Sequence, residues 1–552
     1  MQLERHLPLL GALRSATRTS LRDDVVAGLT TAVMLVPQGM AYAMLAGLEP
    51  IVGLYASTVP IVLYALLGTS RQLAVGPVAM VSLLVASGVG GVVAEGDPVA
   101  YVAAASLLAL MVGAMQLAMG VARLGFLVKF LSHPVIAGFT SAAALIIGFS
   151  QLKHVLGVSI PRSHHVHAIL WSAVEQASAI DPVTVAIAAA SVVTLVGLKK
   201  LAPRFPRFLL VVVGGTLAVW GLGLEVAIVG EVPSGLPSVS LPAWDAALVR
   251  ELLPIAVTIS LVAFMESIAV AKSFAKGSGH ALDADQELKA LGVANLGGAV
   301  VGAYPVTGGF SRTAVNAQAG ASSGLAGLVT AAAVALTLVF LTPLFHFLPK
   351  AVLAAIIMTA VFGLVDVAEA RHLWKVSRSD LALMGLTFFA TLGLGIEQGI
   401  LAGVAASLAW FVWQTSKPHV AVLGRLPGTS VYRNVLRNPD AVTTPGVLAV
   451  RVDAPLFFAN TAFLKQMLRE LEVEALHTVV LDAKGIGSID ASGEVLLAEL
   501  VEAWQERGVE VWVAGLRGPV KDVLAASGLL EKLEGRLVHR VHEAVDRRKA
   551  AA

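Results

Sequence analysis

Long apolar runs separated by short polar stretches fill the chain from about Val25 to Gln414. A helix that crosses the hydrocarbon core of a bilayer needs about 20 apolar residues. The pattern predicts spans centred near Val36, Ile61, Val81, Leu110, Ala142, Ala188, Val213, Leu261, Ala294, Ala317, Ala333, Ile357, Phe389 and Ala406, about fourteen in all. An even number of crossings puts both chain ends on one side. After Lys417 the pattern changes to short Val-rich runs, "VLAVRV", "TVVLDA" and "VEVWVA". These alternate with "NTAFLKQMLRELEV" and "SGEVLLAELVEAWQERG", whose apolar residues recur at helical spacing. The alternation predicts a small sheet covered by helices, with Asn460 and Ser492 as candidate N-caps.

Composition agrees with this division. Of 552 residues 57% are hydrophobic and 14% charged, and the mean hydropathy is +0.80. A soluble chain carries roughly 25% charged residues. A net charge of +2 gives no basis for nucleic-acid binding, and the absence of cysteine excludes disulfides and Cys-ligated metal. Residues 1–24, with several arginines and no short apolar core, read as a cytoplasmic preface. Loops on that side hold Arg71, Arg123, Lys129, Lys199, Lys200, Arg204, Arg207, Lys272, Lys276, Arg371, Lys375 and Arg378. The opposite side holds Lys153, Arg162, Arg250 and Lys350. The basic excess marks the cytoplasm, so both termini are expected inside. The expected organisation is a membrane domain over 25–416, a polar, proline-bearing linker over 417–444, a soluble α/β domain over 445–543 and a tail over 544–552.

Two spans are broken. "QLAVGPVAMVSLLVASGVGG" has an extended-looking lead, then Gly76-Pro77, then a short helical run, and "YPVTGGFSRTAVNAQAGASSG" repeats the plan. If fourteen spans divide into seven and seven, each broken segment is third in its half. Matched Gly/Pro-interrupted spans point to a transporter binding site. A helix that starts inside the membrane leaves its first N–H groups free and presents partial positive charge there. Pro77 suits a first helical turn. Ser311 would cap the second half-helix or bond an anion. Arg312 adds full charge in a fork that fits an oxyanion or carboxylate. The alternative is a re-entrant kink whose arginine snorkels or pairs structurally. The two matched breaks favour the site.

"IAVTISLVAFMESIAVAKSFAKG" sets Glu266 deep in an apolar helix. A carboxylate there must take a proton or be balanced by a cation, which makes Glu266 the candidate for proton coupling or for balancing Arg312. A neutral glutamic acid hydrogen-bonded between helices is the other reading. In the first span Pro37 and Gly39 are expected to break the helix. Gln38 and Tyr42, four apart, either line a cavity opposite the half-helices or pack.

Four stretches, "VPQGMAYAMLAGLEPIVGLYAS", "GTSRQLAVGPVAMVSLL", "MESIAVAKSFA" and "PVTGGFSRTAVNAQAGASSG", resemble the sulfate permease family of anion transporters. "FFANTAFL" and "VVLDAKGIGSIDASGEVLL" resemble the STAS domain that such proteins carry. The resemblance spans about Leu21 to His539. It implies a polytopic α-helical membrane protein with about fourteen helices in a seven-plus-seven inverted repeat, split into core and gate subdomains. It places an anion between Pro77, Val78 and Ala79 on one side and Phe310, Ser311 and Arg312 on the other. Gln38 and Tyr42 would line the site, with Glu266 nearby. It further implies secondary transport of sulfate, bicarbonate or a dicarboxylate such as fumarate by an elevator-like motion. Proton-coupled symport is the expected mode, with sodium coupling or anion exchange as alternatives. A homodimer in a bacterial inner membrane is the expected setting. No cofactor beyond the coupling ion and no enzymatic activity are expected.

The STAS signature departs from the family pattern at Asp482-Ala483-Lys484. In the following loop Ala491 removes one phosphorylation candidate and leaves Ser492, either a regulatory site or a helix cap. Assembly, trafficking or contact with a cytoplasmic protein are the expected roles of the domain. His164, His165 and His167 cluster in an outer loop without a standard metal spacing, which favours a solvated loop. No Walker loop or HExxH occurs. An anion channel, or a membrane scaffold working through the soluble domain, are the readings from other classes.

Overall fold

Thr17 opens the first membrane helix with a capping box. Its hydroxyl accepts from Ser20 N at 3.2 Å, and Ser20 Oγ accepts from Thr17 N at 2.9 Å. The computed structural model describes residues 8–14, 16–93, 97–126, 132–160, 166–202, 206–275, 282–472 and 475–551. They form two units, one up to Ser407 and one from Leu408.

The first half of the membrane unit comprises α1 (Arg18–Leu45), α2 (Val59–Leu67, preceded by the short helix Pro50–Tyr55), α3 (Ala79–Gly90), α4 (Pro98–Val121), α5 (His133–Ser150), α6 (Pro182–Leu201) and α7 (Arg207–Leu222). The second comprises α8 (Ala246–Ala275), α9 (Ala284–Val300), α10 (Phe310–Gln318), α11 (Leu325–Leu336), α12 (Lys350–Val361), α13 (Arg378–Leu394) and α14 (Ile396–Ser416). Every one of the expected span centres falls in a separate one of these helices. Helices α3, α7, α9, α10 and α13 are too short to register as spans by length alone.

The packing repeats between halves. Helix α1 packs on α10 and α11 as α8 packs on α3 and α4. The α4–α9 pair matches the α11–α2 pair, and α5–α13 matches α12–α6. Each contact maps onto its mate when seven is added to a helix number. Because seven is odd, the second half enters from the opposite side and the repeat is inverted. Helices α1–α4 and α8–α11 form the core subdomain, and α5–α7 with α12–α14 form the gate.

Close backbone approach holds the core together. A Cβ at Gly113 of α4 would lie 2.7 Å from Leu296 N and 2.8 Å from the Gly292 carbonyl oxygen of α9. A Cβ at Gly292 would lie 2.8 Å from the Gly113 carbonyl oxygen. Small residues in facing positions let membrane helices touch in this way. Pro37 and Gly39 do not break α1, which runs through both. Proline leaves one carbonyl without its i+4 donor. Gly39 lies against the Gly53 backbone, where a Cβ would come 3.1 Å from the Gly53 oxygen.

The second unit is a six-stranded sheet. Its strands are β3 (Val420–Arg425), β4 (Tyr432–Asn434), β5 (Val447–Val452), β6 (Thr478–Asp482), β7 (Glu510–Ala514) and β8 (Leu537–Val538), in the order β4-β3-β5-β6-β7-β8. Strands β5 to β8 run parallel, and β3 pairs antiparallel with β5. The stretch read as a linker therefore supplies two strands. The alternation in "VAVLGR" buries Ala421 and Leu423 on one face, a signal outweighed by the polar residues that follow. Helices α15 (Thr461–Glu470), α16 (Ala491–Glu506) and α17 (Gly518–Ala526) cover the face carrying Val479 and Leu481. Helix α18 (Val541–Ala551) covers the other, carrying Val480.

Neither expected cap acts as one here. Asp490 caps α16, its Oδ1 accepting from Gly493 N at 2.8 Å, and Ser492 is exposed in the first turn. Asn460 precedes α15, but its side chain accepts from Phe457 N and donates to the Pro455 carbonyl. Asp490, two residues before Ser492, holds the N-cap position of α16 and leaves Ser492 inside the first turn.

Beyond β5, Asp453 accepts two bonds from Arg451, at 2.6 and 2.9 Å, with His419 Nδ1 at 3.0 Å. The Arg451 bonds hold its carboxyl below the usual carboxylate range. A depressed folded-state pKa adds stability that is present above the unfolded value and lost as pH falls through the folded one. Asp453→Asn is therefore expected to lower the melting temperature of this unit at pH 7. The deficit should shrink toward pH 3 in calorimetric scans, and a deficit that grows on acidification would contradict the assignment.

Candidate functional site

The two broken segments meet. Strand β1 (Val75–Gly76) pairs antiparallel with β2 (Thr307–Gly308), Val75 opposite Gly308 and Gly76 opposite Thr307. One residue further, Gly309 N donates to the Ala74 carbonyl at 3.1 Å. Each strand runs directly into a half-helix, β1 into α3 and β2 into α10. The N-cap residues are Val78 and Gly309, and neither supplies a side-chain acceptor. The first amides of both helices therefore lack a side-chain cap, which leaves two sets of donors for an anion.

Arg312 stands in the first turn of α10 at 2% exposure. Its Nη1 donates to the Pro77 carbonyl at 2.6 Å, joining one half-helix to the lead of the other. Its Nε and Nη2 are buried with no protein acceptor among the described residues. The guanidinium lies over glycine. A Cβ at Gly309 would stand 2.8 Å from Nη2 and one at Gly76 3.5 Å from it. Gly76 also holds φ +150°, a conformation open to glycine. Gly309 is thus needed for space and Gly76 for backbone shape.

The other expected residues fall around this point. Tyr42, Tyr304 and Glu266 all lie near enough to act electrostatically on Arg312. Gln38 is buried on α1, and neither end of its amide has a partner among the described residues. Glu266 on α8 is half-buried, with Oε2 enclosed and without a partner among the described residues, and it makes no ion pair to Arg312 within 4.0 Å. Val78 and Ala79 are buried at the start of α3. Pro77 precedes the helix instead of occupying its first turn, because the segment stays extended through Val78. Phe310 is 53% exposed and sits 5.5 Å from the Phe274 ring, centroid to centroid. Ser311 is exposed and caps nothing, since Gly309 already holds the N-cap position. His164 and His165 lie outside the described residues, among which no cluster of metal ligands occurs.

Sequence reasoning missed the residues that hold the tips in place. Thr307 Oγ1 donates to the Ala263 carbonyl and lies 2.6 Å from Ser267 Oγ, which accepts from Gly308 N at 2.8 Å. Ala74 N donates to Thr313 Oγ1 at 3.0 Å. Asn316 Nδ2 donates to the Gln72 carbonyl at 2.9 Å. Tyr304 Oη lies 3.1 Å from Ser82 Oγ of α3. Ser267 directly follows Glu266, and one α8 turn thus carries both a candidate coupling group and a strut.

Comparison with known proteins identifies the family and the fold. The profile described as "Sulfate permease family" matches residues 21–387, and "STAS domain" matches 438–544. "Sulfate transporter 4.1, chloroplastic" of Arabidopsis thaliana is 43% identical over 95% of this chain and 79% of its own length. "Low affinity sulfate transporter 3" of Stylosanthes hamata is 36% identical over 98% and 89%. Among solved structures, the murine Slc26a9 anion transporter in an inward-facing state superposes with a TM-score of 0.91. That match has 26% identity and covers 99% of this chain and 94% of that one. The transmembrane domain of a cyanobacterial bicarbonate transporter, BicA, shares the fold at a TM-score of 0.61 and 24% identity, covering 71% and 98%.

Proposed function

The chain belongs to the sulfate permease family of membrane transporters, and from that premise we propose that it is a secondary active transporter of small oxyanions. Sulfate is the first candidate, since the named plant relatives are sulfate transporters. Bicarbonate or a dicarboxylate would use the same donors. One observation carries the reading. Arg312 is held between two half-helix starts, with one nitrogen on Pro77 and two nitrogens unclaimed. Those nitrogens and the free amides of α3 and α10 converge on one negative ligand. Gln38 and Tyr42 face it from α1.

Coupling is assigned to Glu266. An enclosed carboxyl oxygen without a partner beside a buried cation is a group that can take up a proton as the anion arrives. The core subdomain would carry the site past the gate in an elevator-like motion. The proposed setting is a homodimer in a cell membrane with both termini cytoplasmic, the soluble domain serving assembly or protein contact.

The test is uptake of labelled sulfate, bicarbonate and fumarate into proteoliposomes with and without an inward proton gradient. The wild type is expected to accumulate one of them against its gradient. Glu266→Gln is expected to retain exchange of internal for external anion while losing acceleration by the proton gradient. Uptake that ignores protons and follows sodium or a counter-anion overturns the coupling assignment. A large ohmic conductance without accumulation identifies a channel instead.

A further inference from the structure

Outside the site, one helix touches the leads into both half-helices. Near the start of α9, Glu287 is fully buried and accepts four hydrogen bonds. Thr69 N, Thr69 Oγ1 and Ser70 N donate to Oε1 at 2.6, 2.5 and 3.0 Å, and Tyr64 Oη donates to Oε2 at 2.7 Å. Thr69 and Ser70 begin the lead into β1 and α3. Eight residues along α9, Asn295 is 1% exposed. Its Oδ1 accepts from Val306 N at 2.7 Å, and its Nδ2 donates to the Val306 carbonyl at 3.2 Å. Val306 immediately precedes β2 and α10. Residues eight apart share one broad helix face, and their separation along the axis is about 12 Å.

We propose that α9 is a ruler that sets the distance between the two half-helix tips, with Glu287 and Asn295 as its positioning residues. The inference rests on the anion site proposed above. The β1–β2 ladder is only two residues long, too short to hold a geometry alone. A rigid helix bonded to both leads adds a fixed spacing to the ladder and to the Ala74–Thr313, Gln72–Asn316 and Pro77–Arg312 bonds. The ruler is itself seated against backbone, since Gly292 lies between its two anchor points and meets Gly113 of α4. Asn295 Nδ2 also donates to Gln116 Oε1 at 3.0 Å, and Gln116 Nε2 to the Ser260 carbonyl of α8 at 3.3 Å. The network thereby reaches the helix that carries Glu266 and Ser267.

A ruler has a signature that a merely stabilising contact lacks. Once either lead is loose the spacing is gone, and freeing the second changes little more. Glu287→Gln and Asn295→Asp keep shape and remove part of each clamp. In sulfate uptake by the full chain, each is expected to raise KM about tenfold. The double variant should show about the same tenfold rise rather than the hundredfold of independent effects. Asp24 provides the control. It accepts from Ser322 N, Ser322 Oγ, Ser323 N and Ser323 Oγ at 2.6 to 3.2 Å, beyond the far end of α10, and none of these four bonds involves the clamped residues Thr69, Ser70 or Val306. Asp24→Asn is expected to lower the melting temperature without moving KM. Thr69→Val, which removes one lead-side donor, serves if Glu287→Gln does not fold, and it should raise KM in the same direction. Multiplying KM effects, or a KM shift in Asp24→Asn equal to the others, overturns the ruler. Arg312→Ala measured alongside separates the two ideas. Full uptake by that variant removes the anion site itself, whereas lost uptake with unchanged KM in the α9 variants removes the ruler alone.

Discussion

Alanine at position 312 is expected to lower anion uptake by roughly 30- to 4,000-fold, the equivalent of about 2–5 kcal/mol for truncating one member of a buried charge pair. The guanidinium contributes in two ways that fail together. It supplies the full positive charge between the half-helix tips, and its Nη1 bond to the Pro77 carbonyl ties α10 to the lead of α3. Loss of the charge weakens anion attraction where water is excluded. Loss of the tie leaves the Pro77 oxygen without that donor. Arg312→Lys separates these parts. Lysine keeps the charge but offers a single nitrogen, so it cannot serve Pro77 and a ligand in the same geometry. It is expected to fall between wild type and alanine, with the larger loss in KM. The measurement is initial-rate uptake in proteoliposomes at matched protein incorporation, with anion-induced thermal stabilisation as a binding readout. Normal uptake and normal stabilisation in Arg312→Ala would remove the site from this part of the molecule.

Valine at position 113 is expected to prevent the core subdomain from forming. Its Cβ would stand 2.7 Å from Leu296 N, 2.8 Å from the Gly292 oxygen and 2.9 Å from Leu296 Cγ. Two of these are backbone atoms of α9, which cannot rotate aside as a side-chain end can. The α4–α9 pair must then separate, taking with it the helix that carries Glu287 and Asn295. Overpacking of a tight core costs about 1–3 kcal/mol in ordinary cases. The backbone contact puts this one at or above the upper end. The expected result is loss of the monodisperse peak in size-exclusion chromatography after detergent extraction. Gly214→Val is the matched comparison, since a Cβ there meets nothing within 4 Å, and it should extract normally. A Gly113→Val protein with wild-type yield and melting temperature would show that the helices part without cost.

The sequence by itself determined a good deal, because the relevant physics is local. Hydropathy placed a helix at each expected centre, since a bilayer demands an apolar run of set length wherever a chain crosses it. Gly76-Pro77 and Gly308-Gly309 announced the two breaks, since those residue types permit the extended leads and the close approach that the structure displays there. Arg312 and Glu266 stood out as ionisable groups in apolar surroundings, a contrast visible within a few residues. Other features had no such local sign. Glu287 lies in the polar start of α9 and reads like any acidic residue in a first helical turn. Its partners Thr69 and Ser70 precede it by more than two hundred residues. Asn295, Ser267, Thr307 and Tyr304 are likewise ordinary within their own stretches. Residues 420–434 looked like a tether, yet they complete a sheet whose other strands come later in the chain. Only tertiary structure decided these roles, because a buried polar group is satisfied by whatever packing brings to it, and that partner need leave no spacing in the sequence.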